Sequence, residues 1–173
     1  MKLTNFEIDA CLESMQLLVD TREQPTKCLE NRIRATGLPA IRKKLCVGDY
    51  SCQCTLPSGE IFDFSYWVAI ERKMNLDELC QCFGRERKRF TREFERASDN
   101  GCRIYLIVED GSWEKVYNGK YRSLLTSQAL VASIDAFRCR YGMQLDFCKP
   151  ETTGKLIRDI LYRELKEYLQ GCD

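Results

Sequence analysis

The sequence predicts an α/β fold in which a mixed central sheet is flanked by helices on both faces, and three observations predict it. Residues 103–109 (RIYLIVE) are apolar almost throughout, as a central strand buried on both faces requires. Two helical stripes follow, Leu130, Ile134, Phe137 and Tyr141, then Ile157, Leu161, Leu165 and Tyr168. Strands come first and then alternate with helices, an order that builds a sheet between two helical layers.

Each element has a local reason. Residues 1–15 read as an N-terminal extension, and Glu7, Asp9 and Glu13 make it unlike a secretory signal. Residues 17–20 are a short apolar run that ends in the charged segment Asp20-Thr21-Arg22-Glu23. Residues 31–36 are helical and stop at Gly37, with Pro39 beyond. Residues 45–54 and 62–70 form two strands joined by a turn at Pro57-Ser58-Gly59, and the second runs into Glu71-Arg72-Lys73. Residues 76–100 form a helix broken near Gly84 and ended by Gly101. After the strand at 103–109 come a helix over 125–141 capped by Gly142, a short strand over 144–148 and an amphipathic helix over 155–170.

The 173 residues fit one domain, and neither a repeat nor a linker divides them. Lys plus Arg number 27 against 26 Asp plus Glu, so nucleic-acid binding has to come from a local patch rather than bulk charge. There is no histidine, which excludes Ser-His-Asp triads, Cys-His dyads and histidine-ligated zinc. Eleven cysteines without an export signal read as reduced, small apolar side chains. The pairs Cys52-x-Cys54 and Cys80-x-Cys82 are spaced too tightly for a usual zinc site. With no apolar run long enough to span a bilayer, the expectation is a soluble, cytoplasmic chain that makes no membrane contact.

Strand ends bring acids together: Asp20 and Glu23, Asp49 in Gly48-Asp49-Tyr50, and Glu71 beside Lys73. Residues two apart on a strand share a face, so Glu71 and Lys73 set a carboxylate beside an ammonium. With Asp49 from the neighbouring strand, a hard divalent cation gains carboxylate oxygens and keeps waters for substrate. Lys73 can then hold or activate an attacking water. Composition and spacing alone leave this reading level with a surface ion pair and an ordinary turn acid.

The motifs VGDY (47–50), IERK (70–73), LDEL (76–79) and Gly84-Arg85, preceded by VDTREQ (19–24), resemble the XPF-type structure-specific endonuclease family in order and spacing. That family lies in the PD-(D/E)xK nuclease superfamily, so the resemblance implies a restriction-endonuclease-like fold. It implies a Mg²⁺ cofactor, with Mn²⁺ able to substitute, held by Asp49 and Glu71 with help from Asp20. It also implies a catalytic Lys73, with Arg22, Glu23 and Arg72 supporting the site. Two departures stand out. Arg89 occupies a position where relatives carry Gln, and no tandem helix-hairpin-helix module is present in residues 1–173. A compact phage or bacterial nuclease is therefore expected, in the cytoplasm of a bacterial or phage-infected cell.

At about 100° per residue, Arg85, Arg89, Arg92 and Arg96 share one helical stripe with Lys88 beside it, opposite Phe90, Phe94 and Ala97. The stripe reads as a set of phosphate contacts to DNA rather than a merely solvated face. Tyr66, Trp67 and Trp113 could stack on bases, but Trp67 is expected in the core. The stripes on residues 125–141 and 155–170 read either as core or, as the family resemblance implies, as the surface of a homodimer through the C-terminal helices, with a stable monomer as the alternative. The leading function is a Mg²⁺-dependent DNA endonuclease. A non-catalytic DNA-binding or scaffold subunit and an RNA-directed nuclease are the alternatives.

Overall fold

The computed structural model describes residues 3–171. In chain order it contains α1 (Asn5–Glu13), β1 (Gln16–Val19), α2 (Lys27–Thr36), β2 (Ala40–Arg42), β3 (Tyr50–Thr55), β4 (Ile61–Asp63) and β5 (Val68–Lys73). Then follow α3 (Leu76–Phe83), α4 (Arg87–Asp99), β6 (Arg103–Glu109), α5 (Trp113–Tyr117), α6 (Ser127–Tyr141), β7 (Gln144–Cys148) and α7 (Pro150–Gln170). The sheet runs β2-β1-β3-β5-β6-β7, with β4 paired to β3 off the main path. It is mixed: β5, β6 and β7 are parallel neighbours, while β3 is antiparallel to both β1 and β5.

Period-two alternation sorts the strand residues into two cores. Ala69, Ile104, Leu106 and Val108 face α3, α4 and α6, against Leu79, Phe83, Phe90, Phe94, Ile134 and Phe137. Leu17, Val19, Tyr50, Cys52, Val68, Ile70 and Ile107 face the other way, against Leu12, Leu29, Ile157, Leu161 and Leu165 of α1, α2 and α7. The expected α/β sheet with helices on both faces is what forms. Helix α2 reaches α7 closely at Gly154, where an added Cβ would stand 2.7 Å from the Ala35 Cβ.

Several expectations need correction. Strand β3 begins at Tyr50 rather than residue 45, because Gly48 turns the chain with a φ of +73°. The strand expected over 62–70 is cut by a 3₁₀ turn at Phe64–Tyr66, capped by the Asp63 carboxylate accepting the Ser65 N–H at 3.0 Å. Within the N-terminal extension, α1 buries Ile8, Cys11 and Leu12 in the same core as Leu17 and Cys52, a packing not read from the sequence. Strand β2 and helix α5 are too short for periodicity to reveal, and α7 starts at Pro150, suited to a first helical turn. Trp67 is not core: it is 37% exposed in an aromatic cluster with Phe62, Phe64 and Tyr168. Trp113 packs edge-on against Phe147, and Tyr66 is exposed.

Ten cysteines among the described residues are free, and Cys52, Cys54, Cys80 and Cys82 are buried. Burial pushes the Cys80 and Cys82 thiols up to about 11, so they stay protonated and pack as apolar groups. No described helix is long and apolar enough to cross a membrane.

Candidate active site

The Gly48-Asp49 turn is the part of the site that sequence logic explains most directly. Asp49 N–H donates to the Ile70 carbonyl and Asp49 C=O accepts the Asp20 N–H, each at 2.8 Å, so the turn is stitched to both neighbouring strand ends. Gly48 has to be glycine here: its φ is positive, and a Cβ would lie 2.9 Å from the Ile70 carbonyl oxygen. The Asp49 carboxylate then accepts the Arg72 N–H at 2.9 Å, between Glu71 and Lys73 in sequence. Antiparallel pairing of β3 with β5, with Tyr50 opposite Ile70, brings these distant motifs together.

Glu71 and Lys73 project from β5 on the same face and form a buried ion pair. Glu78 of α3 is 4.0 Å from the Lys73 ammonium, and that ammonium lies 5.5 Å from the centre of the Phe90 ring. Burial raises the proton affinity of both Asp49 and Glu71; the Glu71 charge raises Asp49 further, and Lys73 partly offsets both. Burial alone would lower Lys73, but Glu71 and Asp49 outweigh it and hold it as an ammonium.

The other expected residues divide between two places. Asp20 is buried and its carboxylate is already committed: it accepts Arg22 Nε at 2.6 Å, Arg22 N–H at 2.7 Å and Leu45 N–H at 2.7 Å. Burial pushes Asp20 up, yet these donors hold it below the usual carboxylate range. Among the described residues, no three His, Cys, Asp or Glu side chains converge as a metal-holding group. Asp20 is thus engaged by Arg22 and the Leu45 turn, as Asp49 is by the Arg72 N–H and Glu71 by Lys73. Arg22 also reaches the carbonyls of Leu45 and Gly48 at 3.4 and 3.5 Å, bracing the turn that carries Asp49.

Glu23 and Arg72 point to the opposite side of the sheet. Arg72 alternates with Glu71 and Lys73 and pairs with Glu109. Glu23 accepts the Tyr50 hydroxyl at 2.8 Å, and that hydroxyl accepts Arg32 Nη1 at 2.8 Å. Neither Glu23 nor Arg72 shares the face of Glu71 and Lys73.

Sequence reasoning missed four participants. Glu93 of α4 accepts the Gly48 N–H at 3.3 Å, and its charge bears on both Glu71 and Arg22. Glu109, Arg32 and Tyr50 build the buried network under the sheet. Glu109 carried a usable signal, being an acid at the end of a wholly apolar strand; Arg32 and Glu93 carried none.

Arg85, Lys88, Arg89, Arg92 and Arg96 are all exposed, while Phe90, Phe94 and Ala97 of the same segment are buried. Arg89 pairs with Glu86 at 2.5 Å and Arg85 donates to Gln81 at 3.1 Å. Among the described residues, Lys88, Arg92 and Arg96 have no carboxylate within ion-pair distance. The apolar face of α4 reaches Lys73 through Phe90, so the basic face is displayed outward from the wall of the site.

A hard divalent cation fits two of these donors. Asp49 and Glu71 offer oxygen ligands only, the donor type a hard divalent cation takes. Two carboxylates leave positions for water and substrate oxygens.

The sequence profile of the ERCC4 domain matches residues 19–160, most of the chain. The chain belongs to the ERCC4 domain family. Among solved structures it is similar to XPF from Aeropyrum pernix, with a TM-score of 0.61 and 22% identity over 86% of this chain. It is also similar to XPF from Aeropyrum pernix in complex with DNA, with a TM-score of 0.61 and 21% identity over 88% of this chain. These likenesses establish a shared fold, and the chain spans 61% and 66% of the two solved chains. No curated protein matches this ERCC4 domain chain.

Proposed function

We propose that this ERCC4 domain is a divalent-metal-dependent endonuclease that hydrolyses DNA phosphodiester bonds at branched or flap structures, in repair, recombination or phage replication. The observation that carries the reading is the Asp49 carboxylate on the Arg72 N–H, beside the Glu71–Lys73 pair and next to five exposed basic residues, Arg85 in the turn before α4 and Lys88, Arg89, Arg92 and Arg96 on it. The similarity to an XPF solved with DNA supports a DNA substrate.

In this reading Mg²⁺ is the cofactor and Mn²⁺ substitutes for it, held by Asp49 and Glu71. Bound there, the ion supplies Lewis-acid stabilisation of phosphoryl oxygens. The residues of the chain do the rest. Lys73, kept as an ammonium, donates to the attacking water or to a phosphoryl oxygen and stabilises the charge that develops in the transition state. Arg22 and Glu93 hold the Gly48 turn, and with it Asp49. Arg85, Lys88, Arg89, Arg92 and Arg96 take the backbone phosphates. A homodimer through the C-terminal helices and a cytoplasmic location in a bacterial or phage-infected cell belong to the same proposal, and molar mass in solution tests the first.

A plasmid-nicking assay with Mg²⁺, with EDTA and with RNA in place of DNA tests the function. Mg²⁺-dependent nicking of DNA is the expected result. Binding without cleavage in Mg²⁺ or Mn²⁺ would return the chain to the scaffold reading, and preferential RNA cleavage would change the substrate.

A further inference from the structure

On the face of the sheet opposite Glu71 and Lys73 lies a buried charge network that the proposed chemistry does not use. Glu109, 2% exposed at the end of β6, has both carboxylate oxygens engaged. Oε2 pairs with the Arg72 guanidinium, and Oε1 accepts the Thr153 hydroxyl at 2.6 Å with Arg32 Nη2 at 3.5 Å. The Nε atoms of Arg32 and Arg72 are enclosed and have no hydrogen-bond partner among the described residues. The buried Arg32 and the half-buried Arg72 guanidiniums thus lean on one carboxylate, with the Glu23 carboxylate 3.8 Å from Arg32 as the second anion.

This network meets the candidate active site at Arg72. Arg72 alternates with Glu71 and Lys73 along β5, so its side chain meets Glu109 on one face while the other two face α3 and α4. The backbone N–H of the same residue holds the Asp49 carboxylate. We propose that Glu109 is a positioning residue of the cation site: by anchoring Arg72 beneath the sheet, it sets the separation and orientation of Asp49 and Glu71 above it. The inference rests on the metal-dependent reading of that site. Glu109 touches no substrate and no reacting atom; it acts through Arg72 alone.

The test is Mn²⁺ binding to the full chain by electron paramagnetic resonance, without nucleic acid, for wild type, Glu109→Gln and Glu109→Asp, with thermal unfolding and metal-free DNA binding measured alongside. Removing a partner that orients the ligands costs roughly 10–100-fold in metal affinity, and that is the loss expected for Glu109→Gln. Metal-free DNA affinity stays within about twofold, because the basic stripe of α4 is untouched. Glu109→Asp keeps the charge and recovers part of the loss. Unchanged Mn²⁺ affinity in a folded Glu109→Gln, even with a lower melting temperature, overturns the proposal and leaves the metal site standing. A wild type that binds no Mn²⁺ removes both. If Glu109→Gln does not fold, Glu109→Asp decides: its carboxylate is one methylene short of Arg72, so weaker Mn²⁺ binding supports the proposal and wild-type affinity overturns it.

Discussion

The Lys73 ammonium stands 5.5 Å from the centre of the Phe90 ring, joining the β5 strand that carries Glu71 to the helix that carries the arginines. Phe90 belongs to the buried face of α4, so contact with Lys73 turns Arg89, Arg92 and Arg96 away from the core. The Glu71–Lys73 pair and the exposed arginines thus lie on different faces of α4 and can be altered separately by mutation.

Asp49→Asn is expected to abolish cleavage while the fold survives. The amide keeps its shape and can still accept the Arg72 N–H, but it removes the charge that holds a divalent ion. Because burial and Glu71 raise Asp49 in the folded state, its charged form opposes folding at neutral pH. The sign follows: Asp49 loses stability for the wild type as pH rises above the ordinary carboxylate value, and Asn does not. The mutant should melt at or above wild type at pH 7 by up to a few degrees, and the advantage should shrink toward pH 4. A melting temperature well below wild type at pH 7, measured by circular dichroism, would contradict this.

Lys73→Met should lower turnover by roughly 10²–10⁴-fold with DNA affinity nearly unchanged, because the ammonium acts in the transition state. The methionine preserves the contact with Phe90 but leaves the Glu71 carboxylate buried without its partner. A stability loss of about 3 kcal/mol accompanies it, as for one half of a buried pair. Single-turnover kinetics with separate equilibrium binding checks the division; lost affinity with normal turnover would make Lys73 a simple phosphate contact.

Replacing Arg89 and Arg92 together with Ala should weaken DNA binding about equally for all sequences. Each lost phosphate contact lowers the slope of log K against log salt by about 0.9 for duplex DNA. Both side chains are exposed, so the melting temperature should barely move. An unchanged salt slope with normal cleavage would return the stripe to a solvated surface.

Asp20→Asn separates bracing from metal binding. Asp20 is held below the usual carboxylate range by Arg22 and Leu45 against the pull of burial, so its stability contribution is complete above about pH 4 and is lost as pH falls further. The substitution should cost about 2 kcal/mol at pH 7, the scale of charge-assisted hydrogen bonds. The difference from wild type should close in strong acid. Mn²⁺ affinity should fall less than in Glu71→Gln; an equal fall would make Asp20 a ligand after all.

Much of this was legible in the chain because it depends on local order. Strands β6 and β7 lie over the residues expected, since their boundaries are set by apolar runs between glycines and polar breaks. The break at Gly84, the caps at Gly37 and Gly142, and the two faces of α4 likewise follow from one-dimensional pattern. The pairing of Asp49 with the Glu71-x-Lys73 strand was also readable, because strand alternation and motif order require no knowledge of the other helices.

What the sequence determined by itself is therefore the fold class and the apolar and basic faces of α4, which follow from periodicity and element order, while Asp49, Glu71 and Lys73 were singled out by motif order and a family resemblance. Tertiary structure alone decided the rest. It spent Asp20 on Arg22, sent Glu23 and Arg72 to the far side of the sheet, and exposed Trp67. It also brought in Glu93 from α4 and joined Arg32, Tyr50, Glu109 and Thr153 into one network. A side chain's face can be read from its own strand or helix. Its partner is set by strand order, register and helix packing, through which residues more than forty positions apart compete for the same few hydrogen bonds.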